Sequence, residues 1–396
     1  MLSGRRVVVG VSGGIACYKS CHLVRRLVDA GARVDVILTA NAAEFVRPLT
    51  FEALSGRPVL TSLWESGRAL DHVRLAREAD LLLVAPATAN LLAKLAAGIA
   101  DDLLTAVLLA REGPVLVAPA MNDAMLAAVA TRRNLADLTA RGVCVVGPDT
   151  GSLAEGPAER PGRMSEPDTI LQHALRLLGT GTLAGRRVVV TAGATREAID
   201  PVRVITNRSS GKMGYRLAAA AWRRGAEVVL LSGPSAEPAP EGVTVRRVES
   251  TLELERAVAD ALPAADVLIM AAAPADYRPR EVLDTKRPRQ QGGVDLSLEA
   301  TRDILSETRT LRKHGAVIVG FALETGDAET KGRAKLARKA LDLIVINDAT
   351  EPGAGFEVET NRVTILDRDG GRWALPLAGK AEVAEAILDR VEARLG

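Results

Sequence analysis

The most chemically informative stretch of this chain is a turn rich in small residues, Asn207 to Gly214, which reads Asn-Arg-Ser-Ser-Gly-Lys-Met-Gly. A helix-like run over 215–224 follows directly, and a β-rich run over 186–193 lies a short way upstream. Small residues let the backbone approach an anion, and a helix start points unpaired backbone N–H groups toward it. A strand, a glycine-bearing turn and a helix in this order predict a phosphate-binding site.

The same phrase occurs twice. Residues 2–9 read Leu-Ser-Gly-Arg-Arg-Val-Val-Val, and residues 183–190 read Leu-Ala-Gly-Arg-Arg-Val-Val-Val. Each copy leads into a glycine turn, which is how the first strand of a domain is expected to end. The chain has 396 residues, about twice the usual domain length. We predict a first domain over 1–178, a linker over 179–184 and a second domain over 185–396.

Composition bounds the class of protein. Hydrophobic residues make up 47% of the chain, charged residues 25%, and the net charge is +2, as in a soluble globular protein. Basic residues are scattered among equally frequent acidic ones, so no nucleic-acid surface is expected. The chain has three cysteines, Cys17, Cys21 and Cys144, and so low a number favours a reducing compartment. Their spacing is that of neither a zinc site nor a disulfide framework. The longest apolar stretch, Leu81 to Ala100, contains a proline, an asparagine and a lysine. We therefore expect no membrane span and a cytoplasmic protein.

Short apolar runs alternate with amphipathic helices through the first half. The predicted strands cover 7–11, 34–38, 81–85, 115–118 and 143–146, and a helix covers 15–30. Strands that are apolar throughout indicate a parallel sheet covered on both faces. We predict an α/β fold of two Rossmann-like domains, each a mainly parallel sheet flanked by helices.

Ligands of such sheets collect where the strands end at their carboxyl side. The segments at those positions are Ser12-Gly13-Gly14, Thr39-Ala40-Asn41, Pro86-Ala87-Thr88-Ala89-Asn90 and Pro119-Ala120-Met121-Asn122. Their small or amide-bearing residues suit a flat polar ligand with a phosphate at the first helix start. Taken alone, the first segment is better explained as ordinary turn geometry than as a ligand-binding turn.

Taken together, these motifs resemble a family: bacterial bifunctional proteins that join a flavin-dependent phosphopantothenoylcysteine decarboxylase to a phosphopantothenate–cysteine ligase. In the first half the matching stretches also include Tyr18-Lys19, Asp71-His72, Lys94 with Gly98, Asp101 to Thr105 and Gly162-Arg163-Met164. In the second half they are Thr191-Ala192-Gly193, Asp200 to Arg203, Asn207 to Gly214, Ala275 to Pro279, Gly320 to Thr325 and Asn347-Asp348. The resemblance covers essentially the whole chain.

The resemblance implies two consecutive steps of coenzyme A biosynthesis. The second half would use CTP and Mg²⁺ to activate 4′-phosphopantothenate as an acyl-cytidylate, which L-cysteine then attacks. The first half would use FMN to decarboxylate the product to 4′-phosphopantetheine. The family's flavin domains form trimers whose interfaces complete the FMN site, and its ligase domains pair, so a homo-oligomer is implied.

The resemblance also assigns roles in the first half. The implied FMN-binding residues are Ser12, Gly13, Gly14, Thr39, Ala87, Thr88, Asn90 and Met121. His72 is the implied base. A histidine side chain with the ordinary pKa of about 6.5 can accept a proton at neutral pH. Asn122 is the implied carboxylate-orienting residue, although an asparagine there also suits a helix N-cap.

One position departs from the family. The loop between Gly151 and Met164 commonly carries a proton-donating cysteine, and this chain has Glu155 there. A glutamate that is protonated at neutral pH needs its pKa raised from about 4.3 to about 7. Burial against flavin could raise it, whereas the nearby Arg160 and Arg163 would lower it. Glu155 is therefore either the proton donor or an ordinary loop residue.

The second half carries the remaining implied roles. Asn207 would bind the acyl-cytidylate, and Asp276 would contact the nucleotide or Mg²⁺, or simply form a turn. The other implied CTP- or substrate-binding residues are Ser209, Ser210, Gly211, Lys212, Met270, Ala271, Ala272, Lys286, Phe321, Lys335 and Lys339. The last two lie four residues apart on a helix predicted over 331–341 and so share a face.

Two other interpretations compete. A pair of dinucleotide-binding domains would make the chain an oxidoreductase, but neither glycine turn has the Gly-x-Gly-x-x-Gly spacing. Alternatively, the first half is a flavin-binding scaffold or regulatory domain fused to an active ligase. The glutamate at position 155 keeps that second alternative open, whereas His72 and Asn122 count against it.

Overall fold

The computed structural model describes residues 2–64, 70–152, 156, 159–286, 288, 295–324, 326–348 and 358–396. The chain divides into two compact units, Met1–Gly179 and Thr180–Gly396. Each unit contains a mainly parallel sheet with helices between its strands, so the predicted α/β class is confirmed. Over the described residues no helix has both the length and the apolar character that crossing a bilayer requires.

The first unit is built on a five-stranded parallel sheet of order β2-β1-β3-β4-β5. The strands of this sheet are β1 Arg6–Val11, β2 Arg33–Leu38, β3 Leu81–Ala87, β4 Val115–Pro119 and β5 Cys144–Val145. Two further strands, β6 Asp149–Thr150 and β7 Pro161–Arg163, form a separate antiparallel pair. Its helices are α1 Cys17–Asp29, α2 Ala40–Ala43, α3 Pro48–Ser55, α4 Asp71–Glu78, α5 Ala89–Ala97, α6 Leu103–Leu109, α7 Asp123–Ala127, α8 Val129–Ala140 and α9 Pro167–Leu178.

The second unit is built on an eight-stranded sheet of order β12-β11-β8-β13-β16-β17-β19-β20. It is parallel as far as β17, and β19 and β20 add in antiparallel fashion. The strands are β8 Arg187–Ala192, β9 Arg196–Ala198, β10 Val204–Thr206, β11 Glu227–Ser232, β12 Thr244–Arg247, β13 Val267–Met270, β14 Tyr277–Pro279, β15 Leu298–Ala300, β16 Val317–Glu324, β17 Leu343–Asp348, β18 Thr360–Asn361, β19 Val363–Asp367, β20 Arg372–Ala374 and β21 Ala378–Gly379. The helices are α10 Lys212–Arg223, α11 Thr251–Ala261, α12 Ile304–Glu307, α13 Ala328–Arg338 and α14 Lys380–Leu395, with 3₁₀ turns at Leu262–Ala264 and Arg309–Leu311.

The valine-rich strands β1 and β8 lie inside their sheets, and both of their faces are buried. Successive side chains of a strand point to opposite faces. Val8 and Val9 accordingly belong to different apolar clusters of the first unit, and Val189 and Val190 to different clusters of the second. Burying one such side chain contributes about 1.5–3 kcal/mol. These strands therefore anchor each sheet, and their ends define where a ligand can bind.

Three helices differ from their predicted bounds, and the one predicted over 15–30 is Cys17–Asp29. The helix expected to begin at 215 begins at Lys212, inside the phosphate-binding turn. The helix predicted over 331–341 is Ala328–Arg338 instead. The side chain of Asp327 caps its start by accepting a hydrogen bond from the N–H of Thr330 at 3.2 Å. Ala340, with φ at 47°, lies in the left-handed region just beyond its end.

Candidate active sites

A cavity of about 810 Å³ opens at the carboxyl ends of the first sheet's strands. That volume falls within the range of small-molecule sites. Residues from all four predicted segments line it, including Ser12, Gly13, Gly14, Thr39, Asn41, Thr88, Asn90, Met121 and Asn122. Ala87, also expected to contact the ligand, is fully buried in β3 and is not part of the lining. The fold thus brings together residues that lie more than a hundred positions apart in the sequence.

The side chain of Ser12, which follows β1, forms hydrogen bonds with the carboxyl end of β3. Its hydroxyl donates to the carbonyl of Pro86 at 2.7 Å and accepts from the N–H of Thr88 at 3.0 Å. Gly13 allows the first turn to pack against the second, since a Cβ there would lie 2.4 Å from the Cβ of Asn41. The close packing of these turns therefore explains both residue types without a ligand, and the space beside them is shaped by that packing.

Three side chains at the cavity wall cap helices. The hydroxyls of Thr39 and Thr88 each accept a backbone hydrogen bond at the start of α2 and α5, at 3.3 Å in both cases. Asn122 Oδ1 accepts from the N–H of Ala124 at 2.8 Å at the start of α7. The N-cap interpretation of Asn122 is correct, and the same side chain lines the cavity. The starts of α2, α5 and α7 therefore all lie at the wall of this cavity.

Apolar side chains also line this cavity, among them Ile37, Leu38, Leu91, Leu103 and Met164. A lining that combines apolar side chains with hydroxyl and amide groups fits a flat ring with polar edges. The donor set contains no cluster of metal-ligating side chains, and over the described residues no group of three or more histidine, cysteine or acidic residues converges.

Two lysines of this cavity received no role from the sequence. Lys94 Nζ lies 2.8 Å from both carboxylate oxygens of Asp101, and this hydrogen bond holds the pKa of Asp101 below its usual value. Lys19 is buried, and its Nζ donates to the carbonyl of Met164 at 2.8 Å and to Glu166 at 2.9 Å. Their only sequence signal was membership in the matched motifs.

His72 lies at the start of α4 and is not part of this cavity's lining. Its Nδ1 is buried and has no hydrogen-bond partner among the described residues. A buried ring nitrogen without a partner is uncommon and calls for an explanation. Glu155 lies outside the described residues, so its predicted role is not tested by the structure.

The second unit has a cavity of about 710 Å³. Nearly all of the predicted ligand-binding residues line it: Asn207, Ser209, Ser210, Gly211, Lys212, Met270, Ala271, Ala272, Asp276, Phe321, Lys335 and Lys339. The exception is Lys286, which is exposed, lies beside residues that the structure does not describe, and is not part of the lining. The other polar residues of the lining are Arg208, Thr301, Arg302, Asp303, Arg338, Asn347, Asn361 and Lys380.

Two glycines shape the phosphate-binding turn. Gly211 has φ of 86° and precedes α10 as its N-cap residue, in a conformation that side chains disfavour. At Gly214 a Cβ would lie 2.5 Å from the Cβ of Ala192, so glycine lets α10 pack directly on the end of β8. The first turn of this helix is thereby placed against the cavity.

Asn207 is held by two carbonyl groups. Its Nδ2 donates to the oxygens of Ala273 at 3.1 Å and Pro274 at 3.0 Å. These carbonyls follow the end of β13, so the amide links the phosphate-binding turn to the adjacent strand. The bonds fix the side chain's position at the cavity wall.

Lys335 and Lys339 reach the same cavity, as their four-residue spacing predicted. Lys335 Nζ donates to the carbonyl of Phe321 at 3.4 Å, and burial, followed by the charge of Lys339, lowers its pKa. Lys339 Nζ lies 2.9 Å from Asp303. Asp276 and Asp303 both line the cavity. Magnesium is commonly bound by one or two carboxylates together with substrate phosphates, and Asp276 supplies one carboxylate to this lining.

Two α/β units, each with a cavity lined by segments that follow the strands of its sheet, define a protein with two separate candidate active sites. Comparison with known families narrows this class. The Flavoprotein family matches residues 1–179, and the C-terminal domain family of DNA/pantothenate metabolism flavoproteins matches residues 183–395. The chain belongs to the family of coenzyme A biosynthesis bifunctional proteins.

That membership rests on full-length relatives. The coenzyme A biosynthesis bifunctional protein CoaBC of Bacillus subtilis is 47% identical over 99% of this chain and 98% of its own length. That of Vibrio cholerae is 44% identical over 100% of this chain and 99% of its own. Among solved structures, the C-terminal domain of a CoaBC protein is 41% identical, with a TM-score of 0.46, and covers 55% of this chain and 98% of its own. The FMN-dependent cysteine decarboxylase SpaF is 33% identical, with a TM-score of 0.39, over 44% of this chain and 99% of its own.

Proposed function

We propose that the second unit ligates L-cysteine to 4′-phosphopantothenate with CTP and Mg²⁺. The observation that carries this proposal is that the phosphate-binding turn, Lys335 and Lys339 all line the same cavity. Family membership supports it, because the full-length relatives are coenzyme A biosynthesis bifunctional proteins. Lys286 stays in the proposal as a triphosphate contact, although it is not part of the cavity's lining.

In the proposed ligation, a carboxylate oxygen of 4′-phosphopantothenate attacks the α-phosphorus of CTP, and pyrophosphate leaves. The cysteine amine then attacks the acyl carbon and releases CMP. Asn207, fixed by its two carbonyl partners, binds the acyl-cytidylate. Lys335 and Lys339 offset the negative charge that builds up on the leaving pyrophosphate. Asp276 would hold the magnesium ion together with substrate phosphates.

We propose that the first unit decarboxylates 4′-phosphopantothenoylcysteine to 4′-phosphopantetheine. When bound, FMN supplies a two-electron acceptor and returns the same pair, so no external oxidant or reductant is consumed. The apolar side chains of Leu38 and Leu103 in the lining would pack on the flavin ring. Asn122 would orient the substrate carboxylate without adding charge, His72 would accept a proton, and Glu155 would donate one at the end of the cycle.

We propose that the first units form trimers and the second units pair. The position of His72 supports the trimer, because this residue is not part of its own unit's cavity lining. Two residues earlier, the large apolar side chain of Leu70 is 73% exposed. A neighbouring subunit would cover Leu70 and bring its own cavity to His72.

The test is reconstitution. Purified protein is incubated with FMN, 4′-phosphopantothenate, cysteine, CTP and Mg²⁺, and the products are identified by mass spectrometry. Formation of 4′-phosphopantetheine is the expected result. If no ligation product forms under any of these conditions, the proposed ligase activity is wrong. Replacing CTP with ATP in a parallel reaction tests the nucleotide preference.

A second candidate is an active ligase fused to a flavin-binding scaffold that does not complete the decarboxylation. The observation that favours it is the glutamate at position 155, where the family commonly has a cysteine. This candidate predicts that 4′-phosphopantothenoylcysteine or an oxidised decarboxylated thiol accumulates in the same reaction. Bound flavin alone does not distinguish the two, whereas product identity does.

A further inference from the structure

A basic cluster in the second unit's cavity joins a lysine of the phosphate-binding turn to a second lysine that has no role assigned so far. It consists of Lys212, in the first turn of α10, and Lys380, in the first turn of α14. Both side chains line the cavity. They lie 168 positions apart in the sequence, and only the packing of the two helices around the sheet brings them to the same wall.

Lys380 is buried to an extent that is unusual for a lysine. It is 3% exposed, and its Nζ donates to the carbonyl of Val358 at 2.6 Å. Burial lowers the pKa of Lys380, and the charge of Lys212 lowers it further. A buried ammonium group is costly unless it is matched by an anion. An apolar side chain would fill this space at lower cost, so the charge points to a function.

The carboxylate of Glu359 lies beside the ammonium groups of Lys212 and Lys380. It forms an ion pair with Lys212 and lies 3.7 Å from Arg216, one turn further along α10. Its own backbone carbonyl accepts a hydrogen bond from the N–H of Lys380 at 2.9 Å. The hydrogen bond from Lys212 holds the pKa of Glu359 below its usual value, so the group stays ionised.

A carboxylate brings one negative charge and two oxygens to this position. A phosphate monoester brings about −1.5 to −2 charges and three acceptor oxygens, and it matches a pair of ammonium groups better. The side chain of Glu359 is 65% exposed, so it can turn toward solvent when a stronger anion arrives. The arrangement has the features of an anion site that the chain itself occupies.

We propose that Lys380 and Lys212 bind a phosphate group of a ligand of this cavity, and that the carboxylate of Glu359 occupies the same position until that phosphate displaces it. This rests on the proposed ligase function. The phosphate belongs either to the triphosphate of CTP or to the phosphomonoester of 4′-phosphopantothenate. Glu359 thereby sets the affinity for that ligand by competing with it.

The test compares Glu359→Gln with Glu382→Gln in the full-length protein. Glu382 is an exposed residue in the first turn of α14, so both variants lose one charge in the same region. Binding of CTP, 4′-phosphopantothenate and inorganic phosphate is measured separately by calorimetry without cysteine. Glu359→Gln is expected to tighten binding of one ligand about twofold to fivefold, the range for loss of one exposed ion pair. Glu382→Gln is expected to change nothing.

A third variant, Lys380→Met, keeps the length of the side chain and removes its charge. It is expected to weaken binding of the same ligand at least about tenfold, while its circular dichroism spectrum matches that of the unmodified protein. The ligand affected in both variants identifies the phosphate concerned. If Glu359→Gln binds every ligand no more tightly than Glu382→Gln does, the proposal is overturned, even if Lys380→Met fails to fold. Absence of ligation by the unmodified protein would instead overturn the ligase function.

Discussion

The carboxylate of Asp266 accepts a hydrogen bond from the backbone N–H of Arg187 at 2.8 Å, and Asp80 accepts the same bond from Arg6 at 2.7 Å in the other unit. In both units the aspartate directly precedes a strand that pairs in parallel with the first strand, β3 with β1 and β13 with β8, and the arginine lies at the start of that first strand. The repeated sequence phrase is therefore repeated in structure, down to the bond that sets the register of two neighbouring strands.

This bond predicts a pH-dependent effect of Asp266→Asn on stability. Burial alone would raise the pKa of Asp266, but hydrogen bonds from Lys313 and from Arg187 hold it below its usual value. The stabilisation is therefore present above the unfolded-state pKa of about 3.9 and is lost as pH falls through the folded-state pKa. We expect the variant to lose about 1–3 kcal/mol of unfolding free energy at pH 7, and less below pH about 4.

Urea unfolding of the second unit at a series of pH values checks this prediction. Asp260→Asn is the control, because Asp260 is exposed and pairs only on the surface with Arg246. That control is expected to stay within about 0.5 kcal/mol of the unmodified protein. A difference between Asp266→Asn and the unmodified protein that is the same at pH 3 and pH 7 would contradict the electrostatic explanation.

Gly214→Ala is expected to destabilise the second unit. The added methyl group would lie 2.5 Å from the Cβ of Ala192 and 2.8 Å from the carbonyl oxygen of Thr191, so α10 must move away from β8. Overpacking of this kind costs about 1–3 kcal/mol. The matched control is Gly379→Ala, where no heavy atom lies within 4 Å of an added Cβ. Equal thermal unfolding temperatures for the two variants would rule out the packing explanation.

Asn207→Ala is expected to lower the rate of ligation about 10²- to 10³-fold, because it removes a fixed polar group from the position that holds the acyl-cytidylate. Release of pyrophosphate and formation of 4′-phosphopantothenoylcysteine are the readouts. Decarboxylation of supplied 4′-phosphopantothenoylcysteine by the same variant is the internal control and is expected to be unchanged. Normal ligation by this variant would show that Asn207 only links the turn to β13.

His72→Gln is expected to lower decarboxylation by about 10²- to 10⁴-fold, the usual contribution of a general base. Flavin absorbance and ligation rate should both stay normal. Because His72 is not part of its own cavity's lining, subunit mixing offers a sharper test. Mixed oligomers of His72→Gln with Asn122→Ala should regain part of the activity if the two residues serve one site across an interface. No recovery on mixing would place both residues in one subunit's site.

Glu155→Gln is expected to stop the first reaction after loss of carbon dioxide, because glutamine cannot return the proton that accompanies the electron pair. The oxidised decarboxylated thiol should then accumulate in place of 4′-phosphopantetheine, as seen by mass spectrometry. Glu159→Gln, a neutralised carboxylate nearby in the sequence, is the control. If Glu155→Gln makes 4′-phosphopantetheine at the rate of that control, the proton comes from another group.

Much of the fold was predictable from local sequence. Apolar strands of four to seven residues, glycine turns and amphipathic helices are short-range signals, and they correctly predicted an α/β fold with a mainly parallel sheet in each half. Helix bounds were less certain, since the start at Lys212 and the end before Ala340 depend on backbone conformations that residue type does not specify. Those shifts matter, because they place Lys212 inside the helix that faces the second cavity.

The sequence by itself determined the two first strands, the phosphate-binding turn and the segments that follow the strands, because each depends on neighbours within about ten residues. Only the tertiary structure decided that His72 is not part of its own cavity's lining, that Asp303 pairs with Lys339, and that Lys380 lies on the same wall as Lys212. These relationships join residues brought together by strand order and helix packing. No local pattern of residue types records such contacts, since they arise only when the sheet and its helices bury their apolar faces together.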